Sequence, residues 1–392
     1  MFILCFVVFA DAIGFGIILP LLPVFAIKFD LSSLQLALLF SSFAFAQLLT
    51  APFLGAISDK FGRKKIIVIC LLALSGSYFM LSIAQTFLQA IVARILAGCF
   101  TGNVSVVLAS ASDLSTEKNR AKYLGYIGAA SGIGFVLGPI IGGFLAGNNN
   151  DAVDFKIVFG FAAVFSFIAT LLAAIFLKET LVKSKNYNFN FTTKMKRTLK
   201  LIVFNKSVMF LIYLSIIMWF CFSAIYVFLT TWTAQRLALG AFDISIVGTF
   251  FALFTAIVQI VSPRFITGGK AILLGFQLCA FAMLLMLTKP YIITLIIIII
   301  LLASGLGLLF TNINSSLSFF GRNNQLGFVF GLSQSASNIG QALGPVVIGY
   351  IYSSSSPFYA WLILGLTFFI ASFITVQYMF DAKKYIDKKI TK

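Results

Sequence analysis

The chain has 392 residues, of which 60% are hydrophobic and only 10% are charged. Soluble domains are closer to half apolar and a quarter charged, so this composition excludes a soluble globular protein and indicates an integral membrane protein with many spans. The net charge of +17 would suggest nucleic-acid binding in a soluble protein, but here the basic residues lie between apolar runs, where they indicate topology.

Twelve apolar segments are long enough to cross a bilayer, which takes about 20 residues. We interpret the first as a transmembrane helix rather than a signal peptide, because no basic residue precedes it and no small-residue cleavage site follows. The sequence therefore predicts an all-α membrane protein with twelve transmembrane helices, at residues 2–25, 35–57, 66–85, 88–111, 121–146, 156–177, 208–231, 244–261, 271–288, 291–314, 326–352 and 357–380.

The basic residues predict the orientation of these spans. If the amino terminus is cytoplasmic, 23 of the 28 Lys and Arg residues fall in cytoplasmic loops and the tail, and four fall in outer loops. This asymmetry follows the positive-inside rule and places both termini in the cytoplasm.

A basic segment divides the chain into two halves of six helices. We predict an amino-terminal half at 1–177, a cytoplasmic linker at 178–207, a carboxy-terminal half at 208–380 and a cytoplasmic tail at 381–392. At an offset of 206 residues, one set of helix 5 residues aligns with a set in helix 11: Gly125, Gly134, Gly138, Pro139 and Gly143 with Gly331, Gly340, Gly344, Pro345 and Gly349. The halves are therefore parallel repeats, an architecture typical of transporters with a site between the repeats.

Asp11 lies in the apolar stretch FVVFADAIGFGII and is the only one of eleven acids deep within a predicted span. An ionised acid near the bilayer centre costs about 3 kcal/mol. We expect Asp11 to bind a proton when it faces a narrow cavity and to lose it when it faces water, which is the chemistry of proton coupling. The alternative is a protonated side chain that only hydrogen-bonds a neighbouring helix.

The loop GAISDKFGRKK joins helices 2 and 3. Gly55 allows helices to approach closely, Gly62 accepts positive φ in a tight turn, and Asp59 can cap a helix amino terminus. Arg63 can pair with Asp113, at the cytoplasmic end of helix 4. We call the following residues the latch and expect them to hold the cytoplasmic side closed in one conformation: Gly55, Asp59, Gly62, Arg63, Lys64 and Asp113.

Helices 4 and 5 carry further polar and glycine patterns. Arg94, in RILAGCFTGN, either snorkels to the outer surface or faces a central cavity that Asn103 also lines. Helix 5 reads GYIGAASGIGFVLGPIIGG, in which closely spaced glycines favour helix packing and a proline favours a bend. Its motif residues are Gly125, Gly134, Gly138, Pro139, Gly142 and Gly143.

The second half has no acid or base at the positions of Asp11, Arg94 and Asp113. It instead offers aromatic and amide side chains that could form the wall of a substrate cavity, although each alone could equally serve packing. The candidates are Trp219, Phe222, Tyr226, Asn312, Gln334 and Asn338.

These motifs together resemble the major facilitator superfamily. GAISDKFGRKK is similar to its signature loop, and RILAGCFTG is similar to its helix 4 pattern. GYIGAASGIGFVLGPIIGG and DAIGFGIILPLLP resemble helix 5 and helix 1 of the drug:proton antiporter branch, tetracycline exporters included.

The resemblance implies a major facilitator fold and a proton-coupled antiporter, not an enzyme, that exports small amphipathic molecules across a bacterial inner membrane. Its partners would be a small-molecule substrate, protons and the bilayer, without nucleic acid, in a protein that acts as a monomer. The proton gradient would supply the energy. The sequence contains no histidine, and its five cysteines lack metal-ligand spacing, so we expect no cofactor or metal.

Other functions stay open at this point. A specific metabolite or siderophore exporter would have the same fold, and an importer by symport is disfavoured by the helix 5 motif. A sensor lacks support because no soluble domain is attached, and an ATP-driven pump is disfavoured because no P-loop occurs. The sequence does not identify the substrate.

Overall fold

The computed structural model describes residues 1–115, 120–147, 154–180, 206–288, 291–318, 326–354 and 356–390, and over these ranges the chain contains helices and turns but no strand. In chain order the α-helices are α1 (Phe2–Ile17), α2 (Leu22–Lys28), α3 (Ser33–Phe61), α4 (Arg63–Ser82), α5 (Phe87–Thr101), α6 (Asn103–Asp113), α7 (Arg120–Ala146), α8 (Phe155–Phe176), α9 (Lys206–Leu237), α10 (Ala241–Val261), α11 (Gly268–Leu285), α12 (Ile292–Ser318), α13 (Leu326–Ser354) and α14 (Pro357–Ile390).

Each of the twelve predicted spans corresponds to one of these helices or to a consecutive pair. Within the described ranges, ten segments have the length and apolar composition to cross a membrane. Two predicted spans are not among the ten, the first and the eleventh, which corresponds to α13. In the first, α1 has only 16 residues and passes through a 3-10 turn at Leu19–Leu21 into α2. Pro20 lies in this turn and Pro23 at the start of α2, where prolines interrupt and restart a helix. Most of the linker, at 181–205, lies outside the described residues.

Local sequence sets several helix starts. Ser32 begins α3 with a capping box, in which its hydroxyl accepts the Gln35 backbone N–H while the Gln35 side chain accepts the Ser32 N–H. Thr86 and Gln89 form the same arrangement at the start of α5. These caps satisfy amide groups that a helix cannot pair internally, so the turns between predicted spans end where the sequence places Ser-x-x-Gln or Thr-x-x-Gln.

The chain folds into two compact units. The first comprises Met1–Phe189 and Val227–Phe250, and the second comprises Asn190–Tyr226 and Phe251–Lys392. In the first unit α1 packs along α7, α4 along α8, and α3 along α5; in the second, α11 packs along α12 and α14. An apolar core in the first unit contains Leu4 and Val7 of α1, Ile67 of α4 and Val106 of α6.

The internal repeat reappears in the helix packing. In the first unit, methyl groups added at Gly134 and Gly138 of α7 would lie 2.7 Å from the Phe9 carbonyl oxygen and 2.9 Å from the Ile13 carbonyl oxygen of α1. In the second unit, a methyl group added at Gly340 of α13 would lie 2.8 Å from the Phe220 nitrogen of α9. In the second repeat α13 therefore packs on α9 as α7 packs on α1 in the first, through glycines at equivalent positions.

Candidate functional site

Asp11 lies on α1 and is only 6% exposed. The helix is pressed against α7 on both sides of this residue, because a methyl group at Gly134 would also lie 2.6 Å from the Ala12 Cβ. The helix 5 motif thus packs against the turn of α1 that carries the acid. The contact between α1 and α7 therefore includes both the predicted packing motif and the turn of the predicted proton carrier, Asp11.

Asn103, at the start of α6, is a polar side chain close to the Asp11 carboxyl group. It is fully buried. Neither carboxylate oxygen of Asp11 and neither polar atom of the Asn103 amide has a hydrogen-bond partner among the described residues. The pair therefore holds unused capacity to bind a proton or a small polar group, since buried polar atoms are normally satisfied.

Tyr78 is a site residue that the sequence analysis missed. It lies on α4, is 3% exposed, and its hydroxyl packs against Gly14 of α1, where a side chain would overlap it. The phenol lies within electrostatic reach of both Asp11 and Arg94. The available signal was the single tyrosine of the third span, but periodicity alone does not distinguish a site residue from one that only packs.

Arg94 lies on α5 and is 2% exposed, so its side chain does not extend to the surface. The centre of its guanidinium group lies 4.5 Å from the centre of the Phe43 ring and 5.9 Å from that of Phe40, both on α3. Phe15 of α1 joins this cluster, with its ring centre 5.6 Å from that of Phe43. A buried cation on aromatic faces is thereby placed beside the helix that carries Asp11.

The latch residues meet at the ends of α3, α4 and α6. One guanidinium nitrogen of Arg63 lies 2.6 Å from an Asp59 carboxylate oxygen, and Nε donates to Asp113 Oδ2 at 3.2 Å. A third contact, at 2.6 Å, joins the guanidinium to the Ser58 hydroxyl. The Arg63–Asp113 pair is the one that the motif predicts, and it joins two helices 50 positions apart in the chain.

Two details of this loop differ from the sequence interpretation. Asp59 was expected to cap a helix, but it lies within the last turn of α3 and pairs with Arg63; the carboxylate at the start of α4 is that of Glu179, which the sequence analysis missed. Gly55 was expected to permit close helix approach, but a methyl group there would lie 4.0 Å from the Ser105 hydroxyl, an ordinary contact. The tight approach to α3 occurs instead at Gly98 of α5.

The helix 5 motif residues have unequal roles. Gly134, Gly138 and Gly142 all face α1, and a methyl group at Gly142 would lie 2.8 Å from the Ile17 carbonyl oxygen. Pro139 lies inside α7 beside Gly16, and Gly143 packs against Ser245 of α10. A methyl group at Gly125 would meet no described atom within 4 Å, so no described residue packs tightly against this glycine.

In the second unit, the predicted aromatic residues form a half-buried cluster. Trp219 and Phe222 of α9 have ring centres 5.4 Å apart, and both contact Phe310 of α12, at 5.3 and 5.5 Å. Tyr226 extends the cluster, 5.8 Å from Phe222, and Phe251 of α10 lies 6.5 Å from the same ring. The sequence analysis did not select Phe310 and Phe251, because nothing local distinguishes them from the many other phenylalanines.

The predicted amide side chains of the second unit form hydrogen bonds with other residues of that unit. Asn312 is 3% exposed; its oxygen accepts the Gly268 N–H at 2.9 Å, and its nitrogen donates to the Leu308 carbonyl. Gln334 donates to the Asn338 oxygen at 3.1 Å, one turn along α13. Asn312 thus stabilises the start of α11, whereas Gln334 remains exposed.

The family model of the Major Facilitator Superfamily matches residues 4–317 and 268–391. Among curated proteins, the chain is 30% identical over 359 residues to Multidrug resistance protein 1 of Bacillus subtilis, which covers 90% of each chain. It is 28% identical over 378 residues to the class B tetracycline resistance protein of Escherichia coli, covering 92% of this chain and 90% of that protein. Among solved structures, a bacterial homologue of the human lysosomal transporter Spinster aligns with a TM-score of 0.79 at 14% identity, over 96% of each chain.

Proposed function

This chain belongs to the Major Facilitator Superfamily and is therefore a multi-pass membrane transporter of small molecules, not an enzyme, and we propose that it exports amphipathic compounds from a bacterial cytoplasm in exchange for protons. The observation that carries the proposal is Asp11, a carboxyl group buried in the first helix without a hydrogen-bond partner among the described residues.

The exchange mechanism follows from the cost of burying a charge. A carboxylate removed from water without donors is strongly disfavoured, so Asp11 carries its proton while α7 covers it. The group takes up its proton from the outer solution and keeps it while the site is closed around it, and it releases the proton when the helices open to cytoplasmic water. Tyr78 lies within electrostatic reach of both Asp11 and Arg94, so we expect it to link the acid to the buried cation.

The substrate class is supported by the chemistry of both units. The cluster of Arg94 with Phe15, Phe40 and Phe43 is largely buried and would present aromatic faces and a cation to a substrate once the helices around it open. The half-buried Trp219 cluster of the second unit adds further aromatic faces. Flat, partly apolar molecules suit such surfaces. The relatives named for multidrug and tetracycline resistance favour the same class.

The latch supplies the conformational step. Arg63 joins the ends of α3 and α6 through Asp59 and Asp113. We expect this cluster to stabilise the conformation in which the cytoplasmic side is closed, and to release when the helices rearrange. Release exposes the site to cytoplasmic substrate, as alternating access requires.

The test is an Asp11→Asn variant reconstituted in liposomes with an imposed pH gradient and ethidium as the transported probe. The amide has nearly the same shape but cannot exchange a proton, so uphill ethidium transport is expected to fall to the level of empty liposomes. The control is Asp154→Asn, at the amino terminus of α8, where an amide oxygen can still accept the Lys156 N–H; its transport should be unchanged. Uphill export by Asp11→Asn would show that Asp11 is not the carrier, and the direction of flux under a reversed gradient separates antiport from symport.

A further inference from the structure

The helix that carries Arg63 has no side-chain cap of its own. Gly62 stands at the N-cap position of α4 and offers no side-chain acceptor. The two first amides of the helix are instead bound by Glu179, whose Oε1 accepts the Arg63 N–H at 2.9 Å and whose Oε2 accepts the Lys64 N–H at 3.3 Å. An acid 116 residues further along the chain therefore does the work of an N-cap.

The conformation at Gly62 is matched to this contact. Its φ of 105° is one that residues with side chains rarely adopt, and a methyl group added there would collide with the Glu179 carboxylate. The glycine is thus required twice, once for the turn between α3 and α4 and once for access of the carboxylate to the helix end. Glu179 occupies the space that this glycine leaves.

Arg63 is consequently bound through both its backbone and its side chain. Its backbone amide is bound by Glu179, while its guanidinium group contacts Asp59 and Asp113. Fixing the first turn of α4 fixes the backbone position from which the Arg63 side chain extends. The side chain then loses less conformational entropy when it pairs with Asp59 and Asp113. Two charge-assisted bonds from one carboxylate also oppose fraying of the helix end.

We propose that Glu179 is a positioning residue of the latch, which sets the start of α4 so that Arg63 reaches Asp113. The inference rests on the proposed function of the latch and extends it. Glu179 lies just beyond α8, three residues after its last helical residue, Phe176, so the contact also joins the end of α8 to the latch. When the latch opens, we expect the carboxylate to leave the helix end.

If Glu179 acted only through its negative charge and not as a capping acceptor, its substitution would have a different effect. Glu179 is exposed, and an exposed acid among basic residues contributes little through charge alone and is screened by salt. Capping depends on an oxygen in the right place, which a glutamine can still supply to one amide. Glu179→Gln should therefore retain part of the effect that Glu179→Ala abolishes, at low and at high salt.

The experiment measures the ratio of latched to open protein through the labelling rate of one reporter cysteine on the cytoplasmic part of α6, in a full-length variant whose five native cysteines are replaced. An N-cap contributes about 1 kcal/mol, so Glu179→Ala is expected to shift the ratio about five-fold toward the open state. Lys178→Gln, at the neighbouring exposed position, should leave the ratio unchanged. In an Arg63→Ala background, Glu179→Ala should cause no further shift, because its effect is transmitted through Arg63.

The outcomes separate this inference from the latch itself. If Arg63→Ala shifts the ratio and Glu179→Ala does not, the latch stands and the positioning role is wrong. An equal shift by Glu179→Ala with and without Arg63 also overturns it, since Glu179 would then act elsewhere. If Arg63→Ala itself has no effect, the latch proposal fails and the role of Glu179 fails with it. Should the alanine variant be recovered poorly from membranes, Glu179→Gln is expected to give a smaller shift in the same direction, and that shift should disappear in the Arg63→Ala background.

Discussion

Arg94 is the residue whose environment is most unusual for a membrane helix. A guanidinium group within the bilayer is normally expected to reach the interface, yet here it is 2% exposed and stacked on Phe43. A planar, weakly hydrated cation suits an aromatic face better than a lysine ammonium does. The cluster with Phe15 and Phe40 therefore accommodates a buried positive charge in the first unit, against an aromatic side chain of α1.

We predict that Arg94→Met lowers the thermal stability of the detergent-purified protein. The methionine fills similar space but loses the cation–π contact, which is worth about 1–2 kcal/mol when desolvated. The melting temperature, followed with a thiol-reactive dye, should fall in Arg94→Met and in Phe43→Leu, and the double variant should fall by less than the two added together. Additive losses would show that the guanidinium and the ring do not interact energetically.

At this scale the sequence identified the buried charged residues better than it identified the residues that contact them. Asp11 and Arg94 were identifiable because charges are rare in spans, and the Arg63–Asp113 pair followed from the loop motif. Tyr78 and Glu179 were not predicted, because their roles depend on contacts between distant segments. Nothing in the sequence near Gly62 indicates that the acceptor lies 116 residues away.

At the level of elements, the contact between α1 and α7 links the helix 5 motif to Asp11, the proposed proton carrier. Gly134 meets α1 beside Asp11, and Gly138 meets it near Gly16. Glycines at this spacing let the two backbones approach closely, so that no side chain stands between α7 and the turn carrying the acid. Pro139 lies in the same contact, where a missing hydrogen bond weakens α7 locally and favours bending.

We predict that Gly138→Ala impairs both stability and export, whereas Gly125→Ala impairs neither. The added methyl group at 138 would lie 2.8 Å from the Gly16 Cα and would force the backbones apart, at a cost of about 1–3 kcal/mol. At 125 it meets no described atom within 4 Å, and alanine is the better helix former. Melting temperature and ethidium export by cells provide the two measurements. Equal behaviour of the two variants would contradict a packing role for Gly138.

At the level of the whole molecule, the two repeats share packing but not chemistry. Gly340 and Gly344 pack on α9 as Gly134 and Gly138 pack on α1, yet the acid of the first repeat has only Ile217 as its sequence equivalent. The side chain that accepts the first backbone N–H after the repeated glycine turn also differs. It is Glu179 at the start of α4 and Asn312 at the start of α11. The offset of 206 residues and the glycine spacing made the repeat and the fold predictable. The residues that replace charged groups in the second half, such as Asn312 in place of Glu179, were not predictable.

The orientation of the chain is the last prediction at this scale. Cytoplasmic placement of both termini follows from the 23 basic residues that fall on one side of the predicted spans and the four that fall on the other. A green fluorescent protein fused after Lys392 should fluoresce in bacterial cells, and alkaline phosphatase fused there should be inactive, because each folds on only one side of the membrane. Alkaline phosphatase fused after Asp30, in the first outer loop, should be active as the control. The opposite pattern would place the latch on the outer side, where it could not close the cytoplasmic entrance, and an active enzyme at both sites would indicate an odd number of spans.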